Sequence, residues 1–386
     1  MAWKKNKPEI RFKGFSEEWE MRELFQLVDV RSGRDYKHLS NGDIPVYGTG
    51  GYMLSVNKAL SYEEDAIGIG RKGTIDKPYI LKAPFWTVDT LFYAVPIENN
   101  NIDFIYDVAQ KINWKQKDES TGVPSLSKVA INGIQVFIPK DDEQSHIGNF
   151  FKHLDTLITL HQQKYDKLVT VKKAMLEKMF PQNGAVVPEI RFKGFNGDWE
   201  ERTLGDVADL LTGYPFESKN FTKYGISLIR GINVKRGQLD LSENICEYWP
   251  TSYGLESYLL KESDILIQMD GALIGKSYAK ICSKNLPALL VQRVTRIRSE
   301  IVHCEFIYQW IQKDFLKYIL TTKTETAVPH LSLNDIRNFK ITIPSAKEQS
   351  KIGKYFQNLD NLITLQQREL EKLKNIKKAC LEKMFV

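Results

Sequence analysis

The sequence has few cysteines and no long apolar run. Its four cysteines among 386 residues form no C-x-x-C pair, which argues against a zinc ribbon and against a disulfide framework. No stretch of about 18 apolar residues occurs, so no transmembrane helix is expected. The first residues lack the apolar segment of a signal peptide. We therefore expect a cytoplasmic protein without a membrane partner.

Catalytic signatures are also missing. The chain contains no G-x-S-x-G, no H-E-x-x-H, no N/D-P-P-Y/F tetrapeptide of an amino-methyltransferase and no helicase Walker motif. Its six histidines are scattered along the chain. We expect a protein that is not an enzyme and has no catalytic, cofactor-binding or metal-binding residues.

Two glycine-rich stretches resemble nucleotide-binding motifs only in part. Residues 68–73 fit G-x-G-x-x-G, but a β-like run broken by proline follows them, whereas the dinucleotide fingerprint requires a helix there. Residues 271–277 are one residue short of a P-loop, and strand-like residues follow them too. A nucleotide-binding enzyme is therefore a less favoured alternative.

The composition is that of a globular protein with more than one domain. Hydrophobic residues make up 42% of the chain and charged residues 26%, and its length fits two or three domains. The net charge of +6 is modest. Charge alone therefore favours a nucleic-acid partner only weakly.

Two long segments of the chain carry the same motifs at their starts and at their ends. The octapeptide P-E-I-R-F-K-G-F stands at residues 8–15 and again at 188–195. V-P-S-L-S at 123–127 matches V-P-H-L-S at 328–332, and this second match continues to E-K-M-F at the end of each copy. The residues between barely align. A duplication with diverged interiors predicts one scaffold that presents two recognition surfaces; the alternative is ordinary duplication with neutral drift.

Each copy ends in a segment that is predicted to be a long helix. Apolar residues recur at intervals of three or four over about 38 residues without proline. A stripe of that length needs a partner, and the other copy is the obvious one. His161 and Gln366 occupy equivalent polar positions, where they either fix the register or face solvent. The residues that we expect to pack between the helices are Leu154, Ile158, Leu168, Leu359, Ile363, Leu370 and Leu373.

The interiors are predicted to mix helix and strand. Short β-rich runs, for example at 66–69, 91–95 and 265–267, alternate with Gly, Pro and Asn turns. Helical patches stand near 103–113 and 305–320. The fold class is therefore α+β.

These motifs together resemble the specificity subunit of Type I restriction–modification systems. The helix-start motif I-P-x-x-x-E-Q-x-x-I-G occurs twice, at 138–148 and 343–353, and the resemblance covers essentially the whole chain. It implies two target-recognition domains, at 1–142 and 184–347, separated by two long antiparallel helices at 143–183 and 348–386.

The resemblance also implies a function. Each domain would read one half of a bipartite, asymmetric site in double-stranded DNA. The helices would dock two methyltransferase subunits, and restriction subunits would join the full complex. S-adenosylmethionine, ATP and Mg would then be bound by the partner subunits and not by this chain. A stand-alone DNA-binding scaffold or regulator is the alternative.

Candidate DNA contacts follow from two recurring elements and from basic clusters. The segments 65–77 and 264–276 match each other, and each predicts a hairpin with a tight turn and one lysine at the same place, for a phosphate contact or as a solvated residue. The segments 121–124 and 326–329 match another loop that recurs in the family, and the resemblance implies that this loop lies near DNA. The full set of candidates is Arg71, Lys72, Thr74, Lys77, Thr121, Ser125, Arg230, Lys235, Arg236, Lys276, Arg293, Thr326 and His330.

Overall fold

The computed structural model describes residues 6–182, 184–271, 273–322 and 330–386. Within these residues, no helix is both long and apolar enough to cross a membrane. The chain divides into two compact units. Unit 1 comprises residues 1–164 and 366–386, and unit 2 comprises residues 165–365.

Unit 1 is built from short strands, two short helices and parts of two long ones. Its strands are β1 (Glu20–Glu23), β2 (Val28–Ser32), β3 (Asn41–Gly48), β4 (Gly51–Val56), β5 (Ala66–Gly70), β6 (Tyr79–Leu81), β7 (Trp86–Thr87), β8 (Leu91–Pro96) and β9 (Gln135–Ile138). Its helices are α1 (Ile102–Lys111), α2 (Lys128–Asn132) and the first part of α3 (Asp141–Lys178). An antiparallel sheet has the order β2-β8-β5-β6, a second sheet has the order β4-β3-β7 with β7 parallel to β3, and β1 pairs with β9.

Unit 2 repeats this plan. Its strands are β10 (Glu200–Thr203), β11 (Asp209–Thr212), β12 (Ile226–Ile229), β13 (Val234–Lys235), β14 (Gln238–Leu239), β15 (Glu247–Trp249), β16 (Ile265–Gln268), β17 (Tyr278–Lys280), β18 (Ala288–Leu290), β19 (Val294–Arg298) and β20 (Lys340–Ile343). Its helices are α4 (Leu204–Val207), α5 (Cys304–Trp310), α6 (Leu316–Thr322), α7 (Leu333–Arg337) and the first part of α8 (Ala346–Lys383), and a π-helical turn (Ile311–Phe315) joins α5 to α6.

The two units share one topology, as the duplication predicts. The sheet β11-β19-β16-β17 corresponds to β2-β8-β5-β6, the sheet β15-β12-β18 corresponds to β4-β3-β7, and β10–β20 corresponds to β1–β9. Unit 2 adds the hairpin β13–β14 between β12 and β15. This hairpin lies in the middle of the second copy, which is the longer one, since the offset between matching motifs grows from 180 residues (8 and 188) to 205 residues (123 and 328).

A buried ion pair joins the repeated octapeptide to the helix-start motif in each unit. Arg11 donates from Nε and Nη2 to the two carboxylate oxygens of Glu143, both at 2.6 Å. Arg191 makes the same fork to Glu348 at 2.7 and 2.8 Å. The two glutamate side chains are 2% and 1% exposed. A buried carboxylate requires such a partner, so the two motifs recur together.

Contacts in the structure also explain the glutamine and the glycine of the helix-start motif. Nε2 of Gln144 donates to the Pro139 carbonyl at 3.1 Å, and Nε2 of Gln349 donates to the Pro344 carbonyl at 2.8 Å. A Cβ at Gly148 would lie 2.6 Å from Oδ1 of Asn101 at the start of α1. The glycine therefore allows α1 to approach α3.

Each E-K-M-F ending supplies a buried phenylalanine to one core. Phe385 packs edge-on against Trp19 in unit 1, with ring centroids 6.0 Å apart. Phe180 packs in the same way against Trp199 in unit 2, at 6.1 Å. The end of α8 thus completes the core of unit 1, and the end of α3 completes the core of unit 2.

The long helices have the predicted length, 38 residues each, and they run antiparallel. In unit 1 Nζ of Lys377 lies 2.6 Å from Asp155 and 2.9 Å from Oε1 of Gln110 on α1. In unit 2 Lys172 bonds in the equivalent way to Asp360 and, at 2.6 Å, to Gln312. Of the predicted packing residues, Leu154, Leu359 and Leu370 are buried, and Ile158, Leu168, Ile363 and Leu373 are half-buried. The domain limits 1–142, 143–183, 184–347 and 348–386 stay a prediction.

Candidate nucleic-acid interface

In unit 1 backbone hydrogen bonds hold three loops together as one surface. The Leu126 amide donates to the Arg71 carbonyl at 2.9 Å, and the Gly73 amide donates to the Pro124 carbonyl at 2.9 Å. The Arg71 amide donates to the Thr90 carbonyl at 2.8 Å. We call residues 71–74, 89–90 and 121–125 loop surface 1. It holds five of the predicted contact residues: Arg71, Lys72, Thr74, Thr121 and Ser125.

Loop surface 1 is mostly exposed and carries two basic side chains, Arg71 and Lys72, together with the acidic Asp89. Lys72 and Thr121 are exposed, and the Arg71 guanidinium lies 5.6 Å from the ring centre of Phe92. Asp118 accepts hydrogen bonds from the amides of Ser125 and Ser120, at 2.9 and 3.0 Å. These donors lower the pKa of Asp118. The resulting carboxylate fixes the 121–125 loop through the Ser125 amide.

Unit 2 fastens the corresponding loops in the same way. The Leu331 amide donates to the Met269 carbonyl at 2.8 Å, the Met269 amide donates to the Arg293 carbonyl at 2.9 Å, and Asp270 and His330 form a β-bridge. We call residues 269–271, 292–293 and 330–331 loop surface 2. It holds Arg293 and His330 from the predicted set, whereas Thr326 lies outside the described residues.

An acidic side chain connects the two basic side chains of loop surface 2. The Asp270 carboxylate bonds to Nη1 of Arg293 with one oxygen and to Nδ1 of His330 with the other. Partial burial opposes ionisation of Asp270, but the two donors outweigh it and lower the pKa of the carboxyl. Arg293 has a side chain that is 67% exposed and a backbone φ of +69°, a conformation that non-glycine residues rarely adopt.

The two predicted hairpins form, but the prediction of a tight turn in each of them was wrong. β5 and β16 pair antiparallel with β6 and β17, and the connections are the longer loops 71–78 and 269–277. Ile75 and Ile274 are buried and anchor these loops in the cores. Lys77 and Lys276 follow two residues later, exposed, and neither Nζ has a hydrogen-bond or ion-pair partner among the described residues.

Three other predicted residues lie around the hairpin β13–β14. Arg230 is half-buried, because Nη2 donates to the Ile245 carbonyl and its guanidinium lies 5.8 Å from the ring centre of Phe221. Lys235 is half-buried and Arg236 is exposed. The Gly237 amide donates to the Tyr278 carbonyl at 2.8 Å, which fixes the hairpin beside β17.

The run Arg293, Arg296, Arg298 does not form one basic surface. Arg296 is buried and bonds to Asp209, and its burial lowers the pKa of the guanidinium. Arg298 forms a two-pronged ion pair with Asp264, at 2.7 Å in both contacts. Arg293 alone of the three is exposed.

Sequence reasoning missed a position that both units share. Gly33 and Gly213 stand where a Cβ would collide with the carbonyls of Val88 and Val291. In unit 2 this close approach brings the next residue, Tyr214, beside loop surface 2, where the Gln292 amide donates to the Tyr214 carbonyl at 2.9 Å. In unit 1 the amide of the next residue, Arg34, donates to the Thr87 carbonyl at 2.9 Å. The signal in the sequence is S-G at 32–33 and T-G at 212–213.

The glycine-rich stretches lie in a strand or lead into one, as the sequence indicated. Gly68 and Gly70 belong to β5, and the strand β6 follows the loop. The second stretch, 271–277, leads directly into β17. Among the described residues of the two stretches none begins a helix, so these residues do not supply the helix N-terminus that would bind a phosphate group.

These features define a duplicated recognition protein in which one scaffold presents two different loop surfaces. Residues 16–170 and 196–375 match the family described as Type I restriction modification DNA specificity domain. The chain belongs to that family.

The chain is similar to several named specificity subunits. It is 27% identical over 282 residues to the MjaVIII specificity subunit of Methanocaldococcus jannaschii, covering 68% of this chain and 64% of that one. It is 30% identical over 202 residues to the EcoAI specificity subunit of Escherichia coli, covering 51% of this chain and 34% of that one. It spans 92% of the MjaIX subunit at 23% identity, with 95% of this chain covered.

One solved structure has the same fold. The crystal structure of a Type I restriction–modification S subunit from M. genitalium superposes with a TM-score of 0.74 at 15% identity. The match covers 98% of this chain and 99% of that one.

Proposed function

We propose that this chain selects the DNA sequence on which a Type I restriction–modification complex acts. Unit 1 reads one half of a bipartite, asymmetric site in double-stranded DNA through loop surface 1, and unit 2 reads the other half through loop surface 2. The chain itself performs no catalysis. The names of its relatives support this proposal, since each is a specificity subunit of a Type I restriction enzyme.

One observation carries the two-half-site proposal: equivalent backbone positions hold different side chains. The bridge between Lys72 and Ser125 in unit 1 corresponds to the bridge between Asp270 and His330 in unit 2. A shared scaffold with different exposed side chains is suited to two different base sequences, because base edges are distinguished by the donors and acceptors presented to them.

The long helices offer two equivalent docking surfaces for methyltransferase subunits. Leu157 and Leu160 on α3 are 44% and 55% exposed. Leu362 and Leu365, at the same positions of α8, are 45% and 50% exposed. Exposed leucines that recur at matching positions are typical of interaction sites. Two methyltransferase subunits would dock there, and restriction subunits would complete the complex.

This assignment of roles also predicts which subunits bind the cofactors. Within the described residues, no cluster of His, Cys, Asp or Glu is suited to hold a metal ion. We propose that S-adenosylmethionine, ATP and Mg bind to the partner subunits. The chain would then contribute target recognition and assembly only.

An exchange of recognition domains tests the proposal. Residues 1–142 are replaced by those of a relative with a different target, and the methylated adenines of a host expressing the complex are mapped. We expect one half of the methylated site to change while the other half and the spacer stay the same. A change in both halves would contradict the assignment of one half-site to each unit. Recovery of the chain without any methyltransferase would favour a stand-alone DNA-binding regulator.

A further inference from the structure

The Asp270 bridge gives Arg293 a fixed direction. Asp270 accepts from Nη1 of Arg293 and from Nδ1 of His330, so three loops meet at one carboxylate. The backbone holds the same arrangement through the Met269 and Leu331 amides, at 2.9 and 2.8 Å. Asp270 therefore orients the Arg293 guanidinium, while the arginine side chain stays largely exposed.

The backbone conformation of Arg293 also points to a role beyond stability. Its φ of +69° lies in the left-handed region, which is unfavourable for a residue with a Cβ and is concentrated at functional sites. The Met269–Arg293 hydrogen bond corresponds to the Arg71–Thr90 hydrogen bond of unit 1. Thr90 has no positive φ. The strain thus belongs to the arginine and not to the shared scaffold.

The charge of this group is unsuited to a phosphate contact. The Asp270 carboxylate offsets the positive charge of Arg293 and would repel a phosphate beside it. A guanine edge is neutral and presents two acceptors, O6 and N7, to which an arginine fork donates. Lys72, which replaces Asp270 in unit 1, is exposed and has no acidic partner among the described residues, so it suits a phosphate.

We propose that Arg293 reads a guanine in the half-site of unit 2 through the major groove, with Asp270 as the residue that positions its guanidinium. This inference rests on the proposed function and names one base within it. It also separates the predicted contact residues into two kinds, since Lys72 and Lys276 carry positive charge to the backbone and Arg293 selects a base.

The test uses the complex of the full chain with its methyltransferase subunits. Its site is first selected from random duplex DNA. Affinities are then measured for that site and for every single-base change in both halves. For Arg293→Ala we expect discrimination at one G·C pair of one half-site to fall about 10- to 100-fold, with the other positions unchanged. Arg293→Lys keeps the charge but loses the fork, so it should lose most of the same discrimination.

Asp270→Asn separates positioning from structure. It should weaken discrimination at the same base pair and raise the affinity for non-matching DNA, because a negative charge is removed from the surface. A purely structural role would instead lower the unfolding temperature without changing the base preference. Thr90→Ala in unit 1 is the matched control and should leave that base pair unaffected.

Two outcomes would overturn the inference, and they can be told apart. If Arg293→Ala weakens binding to all sequences equally, Arg293 contacts a phosphate, and the proposed function stands without this base contact. If the unmodified complex selects no sequence at all, the proposed function fails, and the inference fails with it.

Discussion

Nδ1 of His161 lies 3.0 Å from Oε1 of Gln366, and these two residues hold the same position in the two copies of the long helix, 205 residues apart. Gln366 is 6% exposed. The sequence left open whether the pair fixes the register or faces solvent, and the structure places it between the helices. A polar pair in an apolar seam specifies alignment, since any other register leaves both groups unpaired.

A double-mutant cycle tests this pair. Gln366→Leu should lower the free energy of unfolding by about 1 kcal/mol, because the imidazole of His161 then loses its partner. His161→Leu should cost a similar amount, and the double variant should recover much of the loss, which gives a coupling energy of about 1 kcal/mol. Denaturant unfolding followed by helical circular dichroism measures it. Strictly additive effects would mean that the contact contributes nothing.

The buried ion pairs predict large losses when one partner is removed. Arg11→Met leaves the Glu143 carboxylate, 2% exposed, without its two-pronged partner. We expect the free energy of unfolding of unit 1 to fall by about 3–5 kcal/mol. Arg191→Met is the matched variant in unit 2. The double variant Arg11→Met with Glu143→Met should be more stable than Arg11→Met alone. The opposite order of stability would show that the octapeptide is fastened by other contacts.

Asp107 gives unit 1 a pH-dependent stability. Burial raises the pKa of Asp107 to about 9, with the nearby Lys377 opposing this effect. Its Oδ1 accepts from Nε2 of Gln110 at 3.2 Å. The equivalent residue in unit 2 is the neutral Gln309, whose Oε1 accepts from Gln312 at 3.3 Å. The folded state therefore keeps Asp107 protonated at neutral pH.

The sign of this dependence follows from proton counting. The unfolded chain releases the Asp107 proton near pH 4 and the folded chain near pH 9. The contribution of Asp107 to stability is therefore greatest below pH 4 and falls as the pH rises to about 9, with a slope of up to about 1.4 kcal/mol per pH unit. Asp107→Asn should flatten the slope in unfolding curves measured between pH 5 and about 9. Gln309→Glu should introduce a similar slope in unit 2. An unchanged slope in Asp107→Asn would assign the pH dependence to other groups.

Lys276 tests the phosphate contact. Because its Nζ has no partner among the described residues, Lys276→Ala should leave stability unchanged. It should weaken binding to all DNA sequences about equally and reduce the slope of log K against log salt by about one unit. Titrations at several salt concentrations measure this slope. The same slope in the variant would make Lys276 a solvated loop residue.

The exposed leucines of the long helices predict the stoichiometry of assembly. Replacing Leu157 and Leu160 by lysine should remove one methyltransferase subunit from the complex in native mass spectrometry, because desolvating two charges opposes docking. Replacing Leu362 and Leu365 should remove the other, and the four-fold variant should retain neither. Retention of both subunits in every variant would place docking elsewhere.

Much of the architecture could be predicted because it is written in periodic patterns. The intervals of three and four identified both long helices and their length, since a helix repeats its faces every 3.6 residues. The repeated motifs identified two equivalent units. They could not reveal that Arg11 and Arg191 pair with Glu143 and Glu348, because those partners stand more than a hundred residues away.

The register of the strands β5 and β16 could not be predicted from the sequence. The sequence matches Ile67 with Leu266, and in the structure Ile67 joins the core cluster of Trp19, whereas Leu266 packs in a separate cluster. Ile265 and Ile267 are the residues that join the core of Trp199. A shift of one residue in a strand exchanges its two faces, so a match of apolar letters does not decide which face is buried.

The sequence by itself determined the duplication, the long helices and the family, because these depend on residue spacing along one chain. Only the tertiary structure decided which basic residues are exposed. Arg296 and Arg298 lie in ion pairs with Asp209 and Asp264, whereas Arg293 extends from loop surface 2. Exposure and charge pairing depend on loops that are brought together from distant parts of the chain, and these contacts leave no periodic signal in the sequence.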